Sequence, residues 1–404
     1  MQADNLRQRI LSVDFVRGVV MMIMLLDHTR EFVHWAGLQF DPTDLSRTYP
    51  ILFFTRWITH FCAPTFVFLS GVSIYLQRLA GKTNSELSRF LWTRGLWLIV
   101  LEFTIVRFGF AFNLDYSFFG PAQVIWVIGV SMILMAVLIY APVKWVGIAG
   151  VAMIVLHNLL DVYRISPQIA FGGQISIGSW QALWIILHQQ GFISLFGGSQ
   201  VLALYPLIPW VGVMAAGSAF GSIYTLEPEQ RRKWLYSIGT AVTVLFIVVR
   251  LINVYGDPIP WSHKDTATFT FLSFLNTAKY PPSLLFILMT LGPAIIVLAL
   301  TDRIDGKAIW QKICITYGQV PMFYYILQWF VAHSAGLILA AAAGKDFGYL
   351  FKNPGPGAQV PPDAGFSLVT AYAAWITGLI ILYPLCLWWG KLKRTKRHWV
   401  LSYL

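Results

Sequence analysis

The chain has 404 residues, of which 57% are hydrophobic and only 12% are charged. Soluble globular proteins carry about 25% charged residues, so this chain lacks the charge to cover a water-exposed surface. The composition excludes a soluble enzyme, a secreted disulfide scaffold and a disordered chain, and it predicts an integral membrane protein. The formal net charge of +11 is also compatible with a nucleic-acid binder. The positions of the basic residues along the chain distinguish nucleic-acid binding from a signal of membrane topology.

Ten apolar runs approach or exceed the roughly 20 residues that a bilayer-spanning helix needs. In chain order they cover 12–35, 51–79, 88–112, 120–141, 143–161, 200–224, 233–255, 281–301, 314–343 and 367–390. These runs must be helices, because an open strand edge in a bilayer would leave backbone groups without partners. The shorter apolar segment Trp180–Phe196 predicts a re-entrant or interfacial helix, or an eleventh span. The predicted fold is therefore an all-α, polytopic membrane protein of about ten helices, forming a single domain over residues 1–404.

The basic residues are divided unequally between the two sets of loops that alternating spans define. The set that includes the N-terminus holds 18 Lys and Arg, and the other set holds 7. Under the positive-inside rule, this difference places both termini in the cytoplasm and favours an even number of crossings. Membrane topology thus explains the positive charge, and no nucleic-acid partner is expected.

Several kinds of chemistry have no support in the sequence. The three cysteines, Cys62, Cys314 and Cys386, fall in separate spans and are predicted to be small buried hydrophobic residues. No metal site is expected from their spacing. The sequence also contains no Walker-type loop, no His-Glu-x-x-His motif and no Rossmann glycine motif, so ATP hydrolysis, zinc proteolysis and dinucleotide chemistry are not predicted.

The first predicted span carries the most ionisable residues. A charge in hydrocarbon costs about 2.5–3.5 kcal/mol on insertion scales, so such residues are functional candidates. Arg17 and His28 point only about 20° apart on a helical wheel, and Asp14 lies within about 60° of both. An imidazole on the same face as an Arg suits a general base in an enclosed cavity. A structural ion pair between Asp14 and Arg17 is the alternative for those two.

A second stripe of the same span holds Asp27, Arg30 and His34, at spacings that allow them to pair with one another. This stripe is predicted to be a polar outer end of the helix, with Asp27 as a candidate for substrate binding. In the second span, Arg56 and His60 lie in the same half of the membrane as His28, because the two spans run in opposite directions.

Arg107, toward the outer side of the third span, is a further candidate. Its guanidinium is predicted either to bind an anionic substrate group or to snorkel to the membrane interface.

Five stretches of the sequence resemble one known family. They are SVDFVRGVVMMIMLLDH from Ser12, THFCAPTFVFLSGVS (59–73), YPLIPWVGVMAAGSAFG (205–221), KYPPSLLFILMTLGP (279–293) and GQVPMFYYILQW (318–329). Together they resemble the heparan-α-glucosaminide N-acetyltransferase family and its bacterial relatives. The placement of Arg17 and His28 is also similar to the Arg and catalytic His of transmembrane acyltransferases that modify surface polysaccharides.

The resemblance implies a transferase of a bacterial inner membrane. Acetyl-CoA or another acyl-CoA, held from the cytoplasmic side, would donate its acyl group to a sugar or polysaccharide acceptor on the outer side. Membrane lipid is the other expected partner, and a homodimer is allowed by the helix-packing glycines.

The sequence departs from the family pattern at the position of the catalytic His. Relatives of the lysosomal enzyme usually have Asn near the position of His28 and place their catalytic His later, in the first luminal loop. The corresponding loop here, AGLQFDPTDLSRTYP, does not match, which leaves His28, His34 and His60 as candidates. The family also implies a His at the position of Gln328.

The working hypothesis for the mechanism is acyl transfer with His28 as general base, or through a covalent acyl-histidine. Asp14 would orient Arg17, which would stabilise the thioester or bind CoA phosphates. The nucleotide end of CoA would bind to Arg78, Arg231 and Arg232. The positive-inside rule alone also explains these basic residues, without any ligand. Arg56, Arg107 and Asp27 are the candidates for binding the acceptor. The alternative function is a proton-coupled transporter or exporter of a small solute.

Overall fold

A computed structural model of the chain describes residues 10–37, 39–171, 178–195, 198–353 and 360–396. The basic residues before residue 10 and after residue 396, which contribute to the predicted topology, lie outside the described residues. So does the last residue of the predicted Trp180–Phe196 segment.

Most of the described chain is helical. The helices of the first half are α1 (Leu11–Val33), α2 (Pro50–Thr59), α3 (Cys62–Leu79), α4 (Asn84–Leu101), α5 (Arg107–Ala111), α6 (Val124–Leu138), α7 (Val143–Leu156), α8 (Pro167–Phe171) and α9 (Ser179–Leu187). The helices of the second half are α10 (Leu207–Phe220), α11 (Pro228–Ile252), α12 (Ala267–Leu275), α13 (Leu284–Leu300), α14 (Ile309–Gln319), α15 (Pro321–Ala342) and α16 (Leu368–Thr395).

Six helical segments of the described chain are long and apolar enough to cross a membrane. They are Pro50–Leu79, Val143–Val162, Leu207–Thr225, Pro228–Ile252, Pro321–Ala342 and Leu368–Thr395. Helices α6 and α13 are also apolar but shorter. The prediction of a mostly helical membrane protein is confirmed, whereas the count of about ten spans stays a prediction.

A small three-stranded sheet corrects the expectation that every element is helical. Strand β1 (Phe118–Ala122) runs parallel to β3 (Gln200–Ala203), which pairs antiparallel with β2 (Gly191–Ser194) in the order β1-β3-β2. The predicted Trp180–Phe196 helix is therefore the short helix α9 followed by a strand. The sequence could not show this sheet, because its strands of four or five residues satisfy their backbone groups by pairing with distant segments.

Two further predicted spans are interrupted. The run 51–79 breaks into α2 and α3 at His60 and Phe61, and the run 314–343 breaks at Val320 into α14 and α15. Pro321 is the first residue of α15, a position where the missing N–H of proline costs no helical hydrogen bond.

Helix α1 lies at the centre of the bundle, where it contacts α2, α3, α13, α14, α15 and α16. Its crossing with α14 requires glycine on both helices. A Cβ atom on Gly18 would lie 1.8 Å from the carbonyl oxygen of Cys314, and one on Gly318 would lie 1.8 Å from that of Asp14. The two backbones therefore touch directly, which fixes the position of α1 in the core.

The third predicted span carries a local π-helical segment at Glu102–Val106. The buried Glu102 carboxylate accepts a hydrogen bond of 2.9 Å from the backbone N–H of Trp126, in the first turn of α6. A carboxylate at this place satisfies N–H groups that the start of a helix leaves without partners. Glu102 thus fixes α6 against the π segment.

Candidate functional site

A cavity of about 450 Å³ opens beside the C-terminal half of α1. Helix α1 contributes Met24, Asp27, His28, Arg30 and Glu31 to its wall. Residues of α2, α3, α5, α6, α15 and the three-stranded sheet, together with the segments before α2, after β3 and before α13, complete the wall. We refer to this space as the large cavity.

His28 is the imidazole in the wall of the large cavity. Its ring stacks on Trp329, with ring centroids 3.7 Å apart and an interplanar angle of 20°. Its Nδ1 atom is buried without a hydrogen-bond partner in the described structure. Stacking fixes the plane of the ring. Nε2 is therefore the ring nitrogen that can exchange a proton with a molecule bound in the cavity.

Asp27 forms the centre of an ionic cluster beside His28. Its carboxylate accepts a hydrogen bond of 3.1 Å from Arg30 and a second, short one from Arg56 of α2. All three side chains line the large cavity and are at most 13% exposed. One carboxylate therefore holds two guanidinium groups in the wall and joins α1 to α2.

Asp41 lies at the mouth of the large cavity, in the loop between α1 and α2. It accepts hydrogen bonds of 2.9 and 2.8 Å from the backbone N–H and hydroxyl of Thr43. Partial burial raises the pKa of Asp41, but the charge of Arg56 and the hydrogen bonds from Thr43 lower it below its ordinary value. Asp41 thus adds a negative charge at the mouth at neutral pH.

A buried polar cluster outside the cavity holds the wall segment 278–283 in place. Asp257 accepts hydrogen bonds of 2.6 Å from the Ser283 hydroxyl and 2.9 Å from the Ala278 backbone N–H. The Arg250 guanidinium lies 3.8 Å from the same carboxylate. Burial raises the pKa of Asp257 above its ordinary value in spite of these contacts.

A smaller cavity of about 100 Å³ lies beside the N-terminal half of α1. Arg17 and Arg94 are its two cationic wall residues. It shares three wall residues with the large cavity, Phe66, Val124 and Tyr325. We refer to it as the small cavity; these three shared side chains separate it from the large one.

Arg17 is held by partners on three helices. Its guanidinium donates hydrogen bonds of 3.1 Å to Asp14, 3.2 Å to the carbonyl of Gly318 and 3.3 Å to the Ser73 hydroxyl. The predicted pairing of Asp14 with Arg17 is present, but Arg17 lines the small cavity and His28 the large one.

The other candidate histidines have different surroundings. His60 is 3% exposed, lies 5.3 Å from the Phe286 ring centroid and does not line either cavity. His34 accepts a hydrogen bond of 3.2 Å from the Ala36 N–H at Nδ1, and its Nε2 lies 3.2 Å from the Tyr49 hydroxyl. Of the three candidates, only His28 lines one of these two cavities.

Arg107 is enclosed by backbone and amide oxygens. Its guanidinium donates to the carbonyl groups of Asn113, Asp115 and Phe118 and to the side chain of Asn353. It is 2% exposed and lines neither cavity. These hydrogen bonds hold α5 against the loops around it, so the role of Arg107 is structural.

The basic residues proposed for the nucleotide end of CoA also lie outside both cavities. Arg231 forms a bidentate ion pair with Asp302, donating hydrogen bonds of 2.9 Å from both Nε and Nη2. Arg78 lies in the last turn of α3, and Arg232 is half-buried in the first turns of α11.

The sequence analysis gave no role to three charged residues of the large cavity, Glu31, Asp41 and Lys279. Glu31 is one helical turn from His28, a spacing that could have drawn attention to it. Lys279 could be found only from the resemblance, because it opens the KYPPS stretch. Gln328, where the family implies His, is fully buried without a hydrogen bond for its amide in the described structure, and it lines neither cavity.

Within the part of the chain that the structure describes, no group of His, Cys, Asp or Glu side chains is arranged to hold a metal ion. The large cavity combines one imidazole with equal numbers of acidic and basic side chains. The acidic residues are Asp27, Glu31 and Asp41, and the basic residues are Arg30, Arg56 and Lys279. Such a wall can accept a proton and bind a polar molecule through several hydrogen bonds.

Comparison with known proteins identifies the family. Residues 9–251 match the family model described as heparan-alpha-glucosaminide N-acetyltransferase, catalytic. No match was found among curated proteins. The matched residues make up more than half of the chain and include α1 with the wall residues Arg17 and His28. The chain therefore belongs to the heparan-α-glucosaminide N-acetyltransferase catalytic family, a family of membrane acetyltransferases.

Proposed function

We propose that the protein transfers an acetyl group from acetyl-CoA to an amine or hydroxyl acceptor bound in the large cavity, with His28 as general base. The observation that carries this proposal is the position of His28. It is the only one of the three candidate histidines that lines either of the two described cavities, and its Nδ1 is enclosed by protein. A cavity of about 450 Å³ falls within the range of small-molecule sites, about 300–1,000 Å³.

The chemistry that His28 would perform is proton transfer at Nε2. The acceptor nitrogen or oxygen attacks the thioester carbonyl carbon while its proton passes to His28. The C–S bond then breaks, and the CoA thiolate takes the proton from the imidazolium. A base placed in this way contributes about 10²–10⁴-fold to the rate. Stacking on Trp329 supports this role, because it holds the ring in one orientation.

The small cavity is the proposed route of the donor. Members of the family use acetyl-CoA as the donor. The pantetheine arm would lie along the apolar wall of the small cavity, with Arg17 and Arg94 near its polar end. The thioester would reach the large cavity past Phe66, Val124 and Tyr325, which line both spaces. We place this donor end at the cytoplasmic face of a bacterial inner membrane, in keeping with the distribution of basic residues.

The ionic cluster around Asp27 is proposed to form the acceptor-binding part of the large cavity. Arg30 and Arg56 are held by Asp27 and present charged hydrogen-bond donors in the wall of the large cavity. A sugar hydroxyl or a polysaccharide end is an acceptor that such a wall could bind. Arg107, enclosed by backbone carbonyls, has no part in this proposal.

The test uses purified full-length protein in detergent with acetyl-CoA labelled on the acetyl group. We expect the wild type to consume acetyl-CoA and to transfer label to an added amino sugar, and His28→Ala to lose about 10²–10⁴-fold of this rate. His263→Ala is the matched control, because His263 is exposed and lines neither cavity. Equal elution and melting of the two variants would show that both fold.

Two results would contradict the proposal. If the wild type neither binds nor consumes acetyl-CoA, the transferase function fails, and solute flux in vesicles becomes the relevant assay. If label accumulates on the protein and disappears in His28→Ala, the function stands but the histidine acts as a covalent acyl carrier.

A further inference from the structure

We propose that the acceptor is an amphiphile, a molecule whose reacting polar group is attached to an apolar chain, and that the three-stranded sheet binds this chain in the large cavity. This inference rests on the proposed function, since it assigns a chemical class to the acceptor of the same cavity. It leaves the proton transfer at His28 unchanged.

The charged and the apolar residues of the large cavity come from different structural elements. The charged side chains belong to α1, α2 and the segments before α2 and α13. Within the described residues, α5, the sheet and the residue after β3 contribute apolar side chains alone. We refer to this set as the apolar wall; it consists of Phe110, Phe118, Pro121, Phe192, Leu202 and Leu204. The cavity therefore has a charged part and an apolar part.

The strand register makes the apolar wall continuous across the sheet. Leu202 of the central strand β3 pairs with Pro121 of β1 on one side and with Phe192 of β2 on the other. Residues in register on neighbouring strands project from the same face of a sheet, and strands lie about 4.8 Å apart. All three side chains line the cavity, so they form one row about 10 Å long. Such a row can take an extended chain of several carbon atoms.

A purely polar acceptor would leave the apolar wall without a suitable contact. Its six side chains carry no hydrogen-bonding group, and the backbone of β3 is paired with a strand on each side. A sugar hydroxyl turned toward this row would lose water without gaining a partner. An alkyl chain in the same place would leave water, which strengthens binding about fourfold for each CH2 group that is fully buried.

The apolar wall begins beside the proposed base. The Phe110 ring packs edge-on against Trp329, with ring centroids 5.5 Å apart and an interplanar angle of 88°. Trp329 in turn stacks on His28. A molecule whose chain lies along this wall can therefore place its polar end next to His28 and the charged part of the cavity.

The donor does not account for the apolar wall. None of the six wall residues lines the small cavity, which meets the large one at Phe66, Val124 and Tyr325. In the proposed function, the pantetheine arm enters past these three residues and ends at the thioester, where the reaction takes place. The acceptor is therefore the ligand that remains to cover the sheet.

The test measures binding of methyl, butyl and hexyl β-D-glucopyranoside, which differ only in the length of the chain. Titration calorimetry uses the full-length protein in lipid nanodiscs, with empty nanodiscs as the blank for uptake of the probes by lipid. The KM for acetyl-CoA is measured in parallel. Leu202→Ala and Phe192→Ala each remove part of the row. Val201→Ala is the matched control, because Val201 lies on the same strand and does not line the cavity.

We expect the affinity of the wild type to rise about 10-fold or more from the methyl to the hexyl probe. Both wall variants should lose most of this gain, because fewer CH2 groups are buried. Their affinity for the methyl probe and their KM for acetyl-CoA should stay at wild-type values. Val201→Ala should keep the full gain, and equal melting of the three variants would show that each one folds.

The inference is overturned if the affinity of the wild type does not rise with chain length, or if both wall variants keep the gain. A raised KM for acetyl-CoA in the wall variants would also overturn it, because the donor would then occupy the wall. These outcomes can be separated from failure of the proposed function. A wild type that consumes no acetyl-CoA contradicts the transferase proposal, whereas the dependence of binding on chain length needs no turnover and still decides the role of the sheet.

Discussion

Helix α1 contains two polar regions that differ in how their side chains are satisfied. At its N-terminal end, the Arg17 guanidinium donates to Asp14, to the Gly318 carbonyl and to Ser73. At its C-terminal end, His28 and Glu31 line a large cavity, His28 with a buried nitrogen that has no partner in the described structure. Asp27, between two arginines, is engaged there in the manner of Arg17.

This difference indicates which part of α1 is available to bind and react with a ligand. Polar groups that are fully engaged with protein hold helices together and have little capacity left for a ligand. Polar groups left open in a cavity carry a desolvation cost that a bound molecule relieves. We therefore propose that Arg17 mainly positions helices while it borders the small cavity, and that the reaction with the acceptor takes place in the second region, which the Asp27 cluster supports.

The largest effect on stability is expected from Asp27→Asn. Removing this charge leaves Arg30 and Arg56 buried without their counter-ion, which costs about 3–5 kcal/mol in comparable cases. The melting temperature of the purified protein in detergent should fall clearly below that of the exposed control Asp363→Asn. Equal melting of the two variants would mean that the Asp27 cluster does not support the cavity wall.

A smaller loss is expected from Gly318→Ala, which probes the N-terminal region. The added methyl group would lie 1.8 Å from the Asp14 carbonyl oxygen, and such overpacking typically costs about 1–3 kcal/mol. Gly390→Ala is the control, because its added methyl group would meet no atom closer than 3.7 Å. If Gly318→Ala melts like Gly390→Ala, the direct contact of α1 with α14 is not what positions this end.

The smallest effect is expected from His34→Ala, at the far end of the same helix. Its ring contacts the Tyr49 hydroxyl and the Ala36 N–H, and a typical hydrogen bond contributes about 0.5–1.5 kcal/mol. We expect a modest drop in melting temperature and an unchanged kcat for acetyl transfer. A kcat reduced as far as that of His28→Ala would move the reactive histidine outside the large cavity.

The sequence predicted the helical membrane fold, the ionisable character of α1 and the family, because each depends on local composition or on motif spacing. It placed Arg17 and His28 on one helical face, and this is compatible with the structure. However, eleven residues of helix span about 16 Å, so the same face borders two cavities rather than one. A helical wheel is a projection along the helix axis, so it does not show the distance along the axis between these two residues.

Features that depend on distant partners were not predictable. The strand pairing of β1 with β3 joins segments about 80 residues apart, and no local pattern signals it. The oxygen atoms that accept from Arg107 come from the backbone of residues 113–118 and from the side chain of the distant Asn353.

We propose that the reaction takes place at His28 and not at another buried histidine. The most direct measurement is kcat for transfer of labelled acetyl from acetyl-CoA by His28→Ala and by His60→Gln, with folding checked by melting. We predict that kcat falls about 10²–10⁴-fold in His28→Ala, with little change in His60→Gln, because His60 lines neither cavity. Wild-type kcat in His28→Ala, together with its loss in His60→Gln, would contradict the account.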